Sequence, residues 1–148
     1  MAKIFCIANQ KGGVGKTTTT VNLAAGLAKL GQRVLLVDLD PQGNATMGSG
    51  IDKRQVELSV YDVLLESASV AEAAVFAEKC SYKVLSANRE LAGAEVELVQ
   101  LERRDQRLKN ALAVVDADYD FVLIDCPPSL SMLTLNGLCS AHGVIVPM

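Results

Sequence analysis

Residues 10–18 read Gln-Lys-Gly-Gly-Val-Gly-Lys-Thr-Thr. These residue types, at this spacing, can hold phosphate. Gly12, Gly13 and Gly15 admit backbone angles closed to other residues. Successive N–H groups, with that of Val14 between them, can then converge on an anion. Lys16 brings a positive charge to the β- and γ-phosphates, and Thr17 offers a hydroxyl to Mg²⁺. A helix opening here adds the positive end of its dipole. The usual pattern is G-x-x-x-x-G-K-[ST]. Gln10 stands where its first glycine belongs, and a second lysine, Lys11, lies beside it.

Such a site also needs a strand-end acid to hold the metal, usually through water. Asp125 ends an apolar run and is the strongest candidate. Asp38 and Asp40 end another. In a parallel sheet the carboxyl ends of neighbouring strands share one edge, where ligands bind. All three acids could therefore face the phosphates. Taken alone, Asp38 or Asp40 reads equally well as a turn-starting residue ahead of Pro41.

The elements that must position these residues follow from the apolar pattern. Lys3–Ala8, Arg33–Asp38 and Phe121–Asp125 are near-continuous apolar runs, as expected of strands covered on both faces. The phosphate loop sits between the first of them and a helix expected over Thr17–Leu30, with Val21, Ala24, Ala25 and Ala28 inward and Gly31 stopping it. Strand, loop, helix and strand make a βαβ unit. Asp40–Gly50 is rich in turn formers and reads as a loop. Ser59 and Ser69 read as helix N-caps, and Ser69 to Glu72 fits a capping box. Tyr82–Leu85 reads as a short strand. Gly93–Val115 reads as one long helix with Val96, Val99, Leu101, Leu108 and Leu112 inward. Its outer charges (Glu102, Arg103, Arg104, Asp105, Arg107, Lys109) are mixed in sign, the pattern of a solvated face. Ser131–Ser140 reads as a short helix and Gly143–Met148 as a final strand. The pattern predicts an α/β three-layer sandwich, with a mostly parallel sheet and helices on both faces. A sheet of this kind rarely stops on an uncovered strand, so residues 1–148 are expected to be the N-terminal part of one longer domain, truncated at the C-terminus.

The chain has 148 residues, half of them hydrophobic and 21% charged, with a net charge of −3. That balance gives no global reason to bind nucleic acid or an anionic membrane. No segment reaches the roughly 18 apolar residues of a membrane span, and no signal peptide is visible. Cys6, Cys80, Cys126 and Cys139 form no C-x-x-C pair and read as buried, reduced thiols of a cytosolic protein. His142 is the only histidine, which argues against a zinc site.

QKGGVGKTT, VLLVDLDPQGN (Val34–Asn44) and DYDFVLIDCPPSL (Asp118–Leu130) closely resemble the ParA/Soj class of partitioning ATPases. These are P-loop proteins with a deviant Walker A loop. The resemblance runs from residue 1 to 148, roughly the first three-fifths of such a protein. It implies that Lys11 is the signature lysine, reaching the nucleotide of a partner subunit, while Lys16 binds phosphates in its own. That would explain two lysines in one loop. It also implies that Asp40 positions or activates the attacking water, that Asp125 is the Walker B acid, that Thr17 is the Mg²⁺ ligand and that Thr18 contacts phosphate. The expected catalytic residues are then Lys11, Lys16 and Asp40. The nucleotide is held by residues 11 to 18, and the metal by Thr17, Asp40 and Asp125. The loops after Asp40 and Asp125 would be switch regions.

The implied protein is cytoplasmic and nucleoid-associated. It binds ATP or ADP with Mg²⁺, forms a homodimer on ATP, and hydrolyses ATP slowly to partition chromosomes or plasmids. Its implied partners are a ParB-type centromere-binding protein and, through residues beyond this chain, non-specific DNA. No membrane is expected. The alternatives are a MinD-like, membrane-associated regulator of cell division and a nucleotide-dependent metal-cluster carrier using Cys126. A further alternative is a fragment that binds nucleotide weakly without hydrolysis.

Overall fold

The computed structural model describes residues 2–8, 14–129 and 131–146. Its strands are β1 (Lys3–Ile7), β2 (Val34–Asp38), β3 (Val75–Ala77), β4 (Tyr82–Leu85), β5 (Phe121–Asp125) and β6 (Gly143–Ile145). They form one sheet in the order β3-β4-β2-β5-β1-β6. Every pairing is parallel except β3 with β4. The expected mixed α/β fold is therefore present.

The helices are α1 (Val14–Lys29), α2 (Asn44–Gly48), α3 (Val60–Leu64), α4 (Val70–Ala73), α5 (Leu91–Val99), α6 (Arg107–Val114) and α7 (Met132–Ser140). Strand side chains alternate between two faces, and each face has its own core. Leu35, Val37, Val122 and Ile124 pack with Val60, Leu98, Leu108 and Leu133 from α3, α5, α6 and α7. Val34, Leu36 and Leu123 pack with Ala24 of α1 and Ala45 of α2. A run such as Val34–Asp38 is buried throughout because neither face meets water.

The ends of β1, β2 and β5 are level. Ile7 pairs with Asp125, and Asp38 pairs with Asp125. This register gathers the strand-end acids on one edge. Helix α1 begins earlier than expected, at Val14 rather than Thr17. It ends as the sequence suggests: Gly31 has φ +83° and the Gln32 N–H reaches back to Leu27 O at 3.1 Å. Ser59 and Ser69 both cap their helices in capping boxes.

Several expectations need correction. The stretch Asp40–Gly50 is not all loop, because α2 forms within it. Residues 93–115 are two helices, α5 and α6, rather than one. Arg103 turns the chain between them with φ +53°. Arg104 and Arg107 donate to Val99 O and Glu102 O at 2.7 and 3.0 Å, satisfying carbonyls at the break. No glycine or proline marks this break, so the sequence hides it. With the break the inward set shifts: Leu91, Ala94 and Leu98 are buried, whereas Val96 and Val99 are 70% and 51% exposed. Strand β3 was not expected. It is three residues long, too short to show alternation.

All four cysteines are free thiols, but only Cys6 and Cys126 are buried; Cys80 is half-buried and Cys139 exposed. The Cys126 thiol donates to Cys6 Sγ at 3.4 Å. That bond and burial push its pKa upward. A thiol held this way faces the interior, which disfavours the cluster-carrier reading. His142 is structural: its Nδ1 accepts the Ile4 N–H at 3.0 Å.

Gly137 of α7 packs directly on this thiol pair. A Cβ there would lie 2.8 Å from Cys126 Sγ and 3.2 Å from Leu39 Cδ1. Gly137→Ala is therefore expected to lower stability by about 1–3 kcal/mol through overpacking, despite alanine's better helix propensity. Gly26 of α1 has nothing within 4 Å of such a Cβ. Gly26→Ala should raise stability by about 1 kcal/mol. Urea midpoints of the two variants, moving in opposite directions from the unmodified protein, check this.

Candidate active site

Lys16 lies in the first turn of α1 and is 2% exposed. Its Nζ sits 2.9 Å from Asp125 Oδ1 and 3.5 Å from Asp40 Oδ2. A single ammonium thus joins the phosphate-loop helix to acids from β5 and from the loop after β2. Thr20, one turn along α1, aligns with Lys16 on the same helix face. Its Oγ1 lies within reach of Lys16 O at 2.9 Å and Asp125 Oδ1 at 3.1 Å.

Asp125 Oδ2 is buried and has no hydrogen-bond partner among the described residues. Burial pushes the Asp125 carboxyl above its usual range, the nearby Lys16 opposes this, and Asp40 adds to it. An orphaned, buried carboxylate oxygen at the end of a strand suits a metal-bound water. No group of three or more His, Cys, Asp or Glu side chains that could hold a metal forms among the described residues. A hard cation with much of its water shell, such as Mg²⁺, fits this donor set; a zinc cage does not.

Asp38 is fully buried and does not contact Lys16. It organises the loop instead. Its Oδ1 accepts the Asp40 N–H at 3.1 Å, and its Oδ2 accepts the Thr46 N–H and hydroxyl at 2.9 and 2.7 Å. Burial, and then the charge of Asp125, raise its carboxyl to about 7. Asp40 Oδ1 accepts the Gln42 N–H at 3.0 Å, which leaves Oδ2 towards Lys16.

The structure thus brings together Lys16, Asp40 and Asp125. Thr17 is half-buried in α1, Thr18 is exposed, and Gly15 lies in the same first turn. Lys11, Gly12 and Gly13 lie outside the described residues, as do the side chain of Val14 and its burial. Sequence reasoning missed Thr20, Thr46 and Glu95. Thr20 was findable by its i+4 spacing from Lys16. Glu95 was not, because it acts across the fold. Its carboxylate accepts the Met132 and Leu133 N–H groups at 2.8 and 3.2 Å, tethering α7 just beyond the loop that follows Asp125. Pro41, Ala92, Glu95, Pro127 and Leu133 help line a groove of about 440 Å³ between the two loops.

Residues 2–148 match the AAA_31 family, described as an AAA domain. The chain belongs to this AAA domain family. Among its relatives is Soj of Bacillus subtilis, a sporulation initiation inhibitor protein, 53% identical over 148 residues. That alignment covers 100% of this chain and 58% of Soj. The chromosome partitioning protein ParA of Caulobacter vibrioides is 50% identical, over 99% of this chain and 55% of its own length. A solved Mycobacterium smegmatis protein described as cobyrinic acid a,c-diamide synthase, with bound ATP analogue and magnesium, matches with a TM-score of 0.97 at 49% identity. It is covered over 60% of its length. The AAA domain thus has ParA/Soj-type relatives, as the three motifs indicate, and spans little more than half the length of each.

A pH dependence follows from Asp38. A carboxyl raised in the folded state holds its proton there at pH values where the unfolded chain has lost it. Its contribution to stability is therefore greatest below about pH 4 and declines as pH rises to about 7. Asp38→Asn removes this titration. Relative to the unmodified protein, the variant should gain stability between pH 4 and 8, by on the order of 4 kcal/mol. Urea unfolding across that range checks the slope, whatever constant offset the lost hydrogen bonds impose.

Proposed function

We propose that this chain supplies the phosphate-binding and hydrolytic residues of an Mg-ATP-dependent switch. The switch closes as a homodimer on ATP and hydrolyses it to partition a chromosome or plasmid. The observation that supports this most is the buried contact of Lys16 with both Asp125 and Asp40 at the carboxyl edge of a parallel sheet. The ParA and Soj relatives give it a biological setting.

In this reading Lys16 moves its charge from the two carboxylates to the β- and γ-phosphates. Thr17 and, through water, Asp125 and Asp40 would hold Mg²⁺, which when bound would supply charge neutralisation at the transferring phosphoryl group. Asp40 orients the attacking water and accepts its proton. Lys11 serves the partner subunit's nucleotide, and residues 12 to 15 with Thr18 line the phosphates. Positioning and positive charge, rather than covalent chemistry, are what phosphoryl transfer requires. The loops after Asp40 and Asp125 respond to the γ-phosphate. The whole protein would act in the cytoplasm on the nucleoid, with a ParB-type partner and non-specific DNA as ligands. In the described residues no helix is long and apolar enough to cross a membrane.

A second reading comes from the diamide-synthase description of the similar solved structure. Turnover by the full-length protein separates the two. Stimulation by DNA with a centromere-binding partner supports partitioning, whereas stimulation by a corrin carboxylic acid supports the synthase.

Variants of the full-length protein test the residue roles. Lys16→Ala should weaken ATP binding by about 10- to 100-fold, the worth of a charged hydrogen bond. Asp40→Ala should keep binding but lower turnover by about 10²- to 10⁴-fold. Light scattering of Lys11→Ala with Mg-ATP should show a monomer where the unmodified protein is a dimer. Unchanged turnover in Asp40→Ala would remove Asp40 from the mechanism.

A further inference from the structure

A buried polar chain outside the phosphate-facing residues links three elements. Ala87, two residues past β4, donates its N–H to Thr46 Oγ1 at 3.0 Å. That hydroxyl donates in turn to Asp38 Oδ2 at 2.7 Å, and Asp38 Oδ1 accepts the Asp40 N–H at 3.1 Å. Thr46, Asp38 and Ala87 are all fully buried. The Thr46 hydroxyl gives its single proton to Asp38 and takes one from Ala87, so its orientation is fixed. Such links are strong in a low dielectric and costly to break singly.

Helix α2, which carries Thr46, is also held on its other sides. A Cβ on Gly48 would lie 3.3 Å from Val21 Cγ2 of α1, so the two helices are in close contact. Ser49 Oγ and Tyr82 OH share a hydrogen bond of 2.7 Å. Asp40 has weaker local restraint: a turn bond from Gly43 N–H to its carbonyl at 2.8 Å, the Gln42 contact, and the 3.5 Å approach of Lys16. The Asp38 carboxylate therefore ties the Asp40 backbone to α2 and the end of β4, beside the Gly43 turn bond and the Leu39 N–H bond to Asp125 O at 2.9 Å.

We propose that Thr46 is a positioning residue, its hydroxyl latching α2 to Asp38 and so fixing where Asp40 stands during hydrolysis. The proposal rests on the ATPase reading above. Among the described residues, Thr46 makes no hydrogen bond to those expected to cradle phosphate. Its loss should therefore slow hydrolysis and spare nucleotide affinity.

The test uses the full-length protein, unmodified and as Thr46→Val and Thr46→Ser, well below the melting temperature of each. The readouts are kcat, KM for ATP, Kd for ADP and thermal stability. The expected result is a fall in kcat of about 10- to 100-fold in Thr46→Val, the scale of a small misplacement at a reacting centre. Kd should stay within about twofold, and Thr46→Ser, which keeps the hydroxyl, should regain most of the rate. Should Thr46→Val fail to fold, Thr46→Ala leaves room for a water at Ala87 and carries the same expectation. A lower melting temperature with unchanged kcat would overturn the latch and leave a purely structural link. Equal losses in Val and Ser would overturn it in favour of methyl packing, and lost ADP binding would overturn it in favour of a disturbed phosphate site. Absence of turnover in the unmodified protein would overturn the ATPase reading, and the latch with it.

Discussion

One buried ammonium surrounded by acids sets the terms for this molecule. Asp38, Asp40 and Asp125 are all at most 6% exposed and converge at one sheet edge. Among the described residues, Lys16 is the only cation in ion-pair contact with them, touching Asp40 and Asp125. Burying carboxylates costs several kcal/mol each unless charge and hydrogen bonds compensate. Asp125 is compensated through Lys16 and Thr20. Asp38 is compensated through three hydrogen bonds, and still its carboxyl is raised to about 7. A fold optimised for stability alone would place apolar residues there. Retaining acids at this edge is what a site built for a polyanion and a hard cation requires.

The sheet makes the convergence possible. Parallel pairing of β2 with β5 and of β5 with β1 brings three strand ends level. Apolar side chains on both faces then fix the register, because a slip of one residue would exchange the two cores. Lys16 arrives from α1, which packs on one face. The residues that tether the two edge loops arrive from both faces: Thr46 of α2, on the α1 side, bonds Asp38, and Glu95 of α5, on the other, holds the start of α7. Asn136 of α7 accepts the Leu108 N–H of α6 at 3.1 Å and donates to Arg104 O at 2.7 Å.

Polar links of this kind explain how short helices stay in place. Helix α2 has five residues, far too few to be stable alone. It exists because Asp38, Ala87 and Tyr82 engage Thr46 and Ser49. Helices α5 and α7 flank the groove between the Asp40 and Asp125 loops, through Ala92, Glu95 and Leu133.

The sequence by itself determined what depends on local pattern. Continuous apolar runs marked β1, β2 and β5, and Ser59 and Ser69 announced their helix starts. The spacing of Gly15, Lys16 and Thr17, with acids at two strand ends, marked the candidate site. Tertiary structure decided what depends on distant partners. The break between α5 and α6 is set by arginines bonding to carbonyls, with no glycine or proline to signal it. The turn-rich stretch after Asp40 becomes helical where a strand-end aspartate, Ala87 and Tyr82 reach Thr46 and Ser49. Glu95 gains its role from α7, 37 residues further along the chain. Local pattern encodes propensity and burial, both read within a few residues. Pairing across the fold needs coordinates of both partners, and single-sequence periodicity holds no record of them.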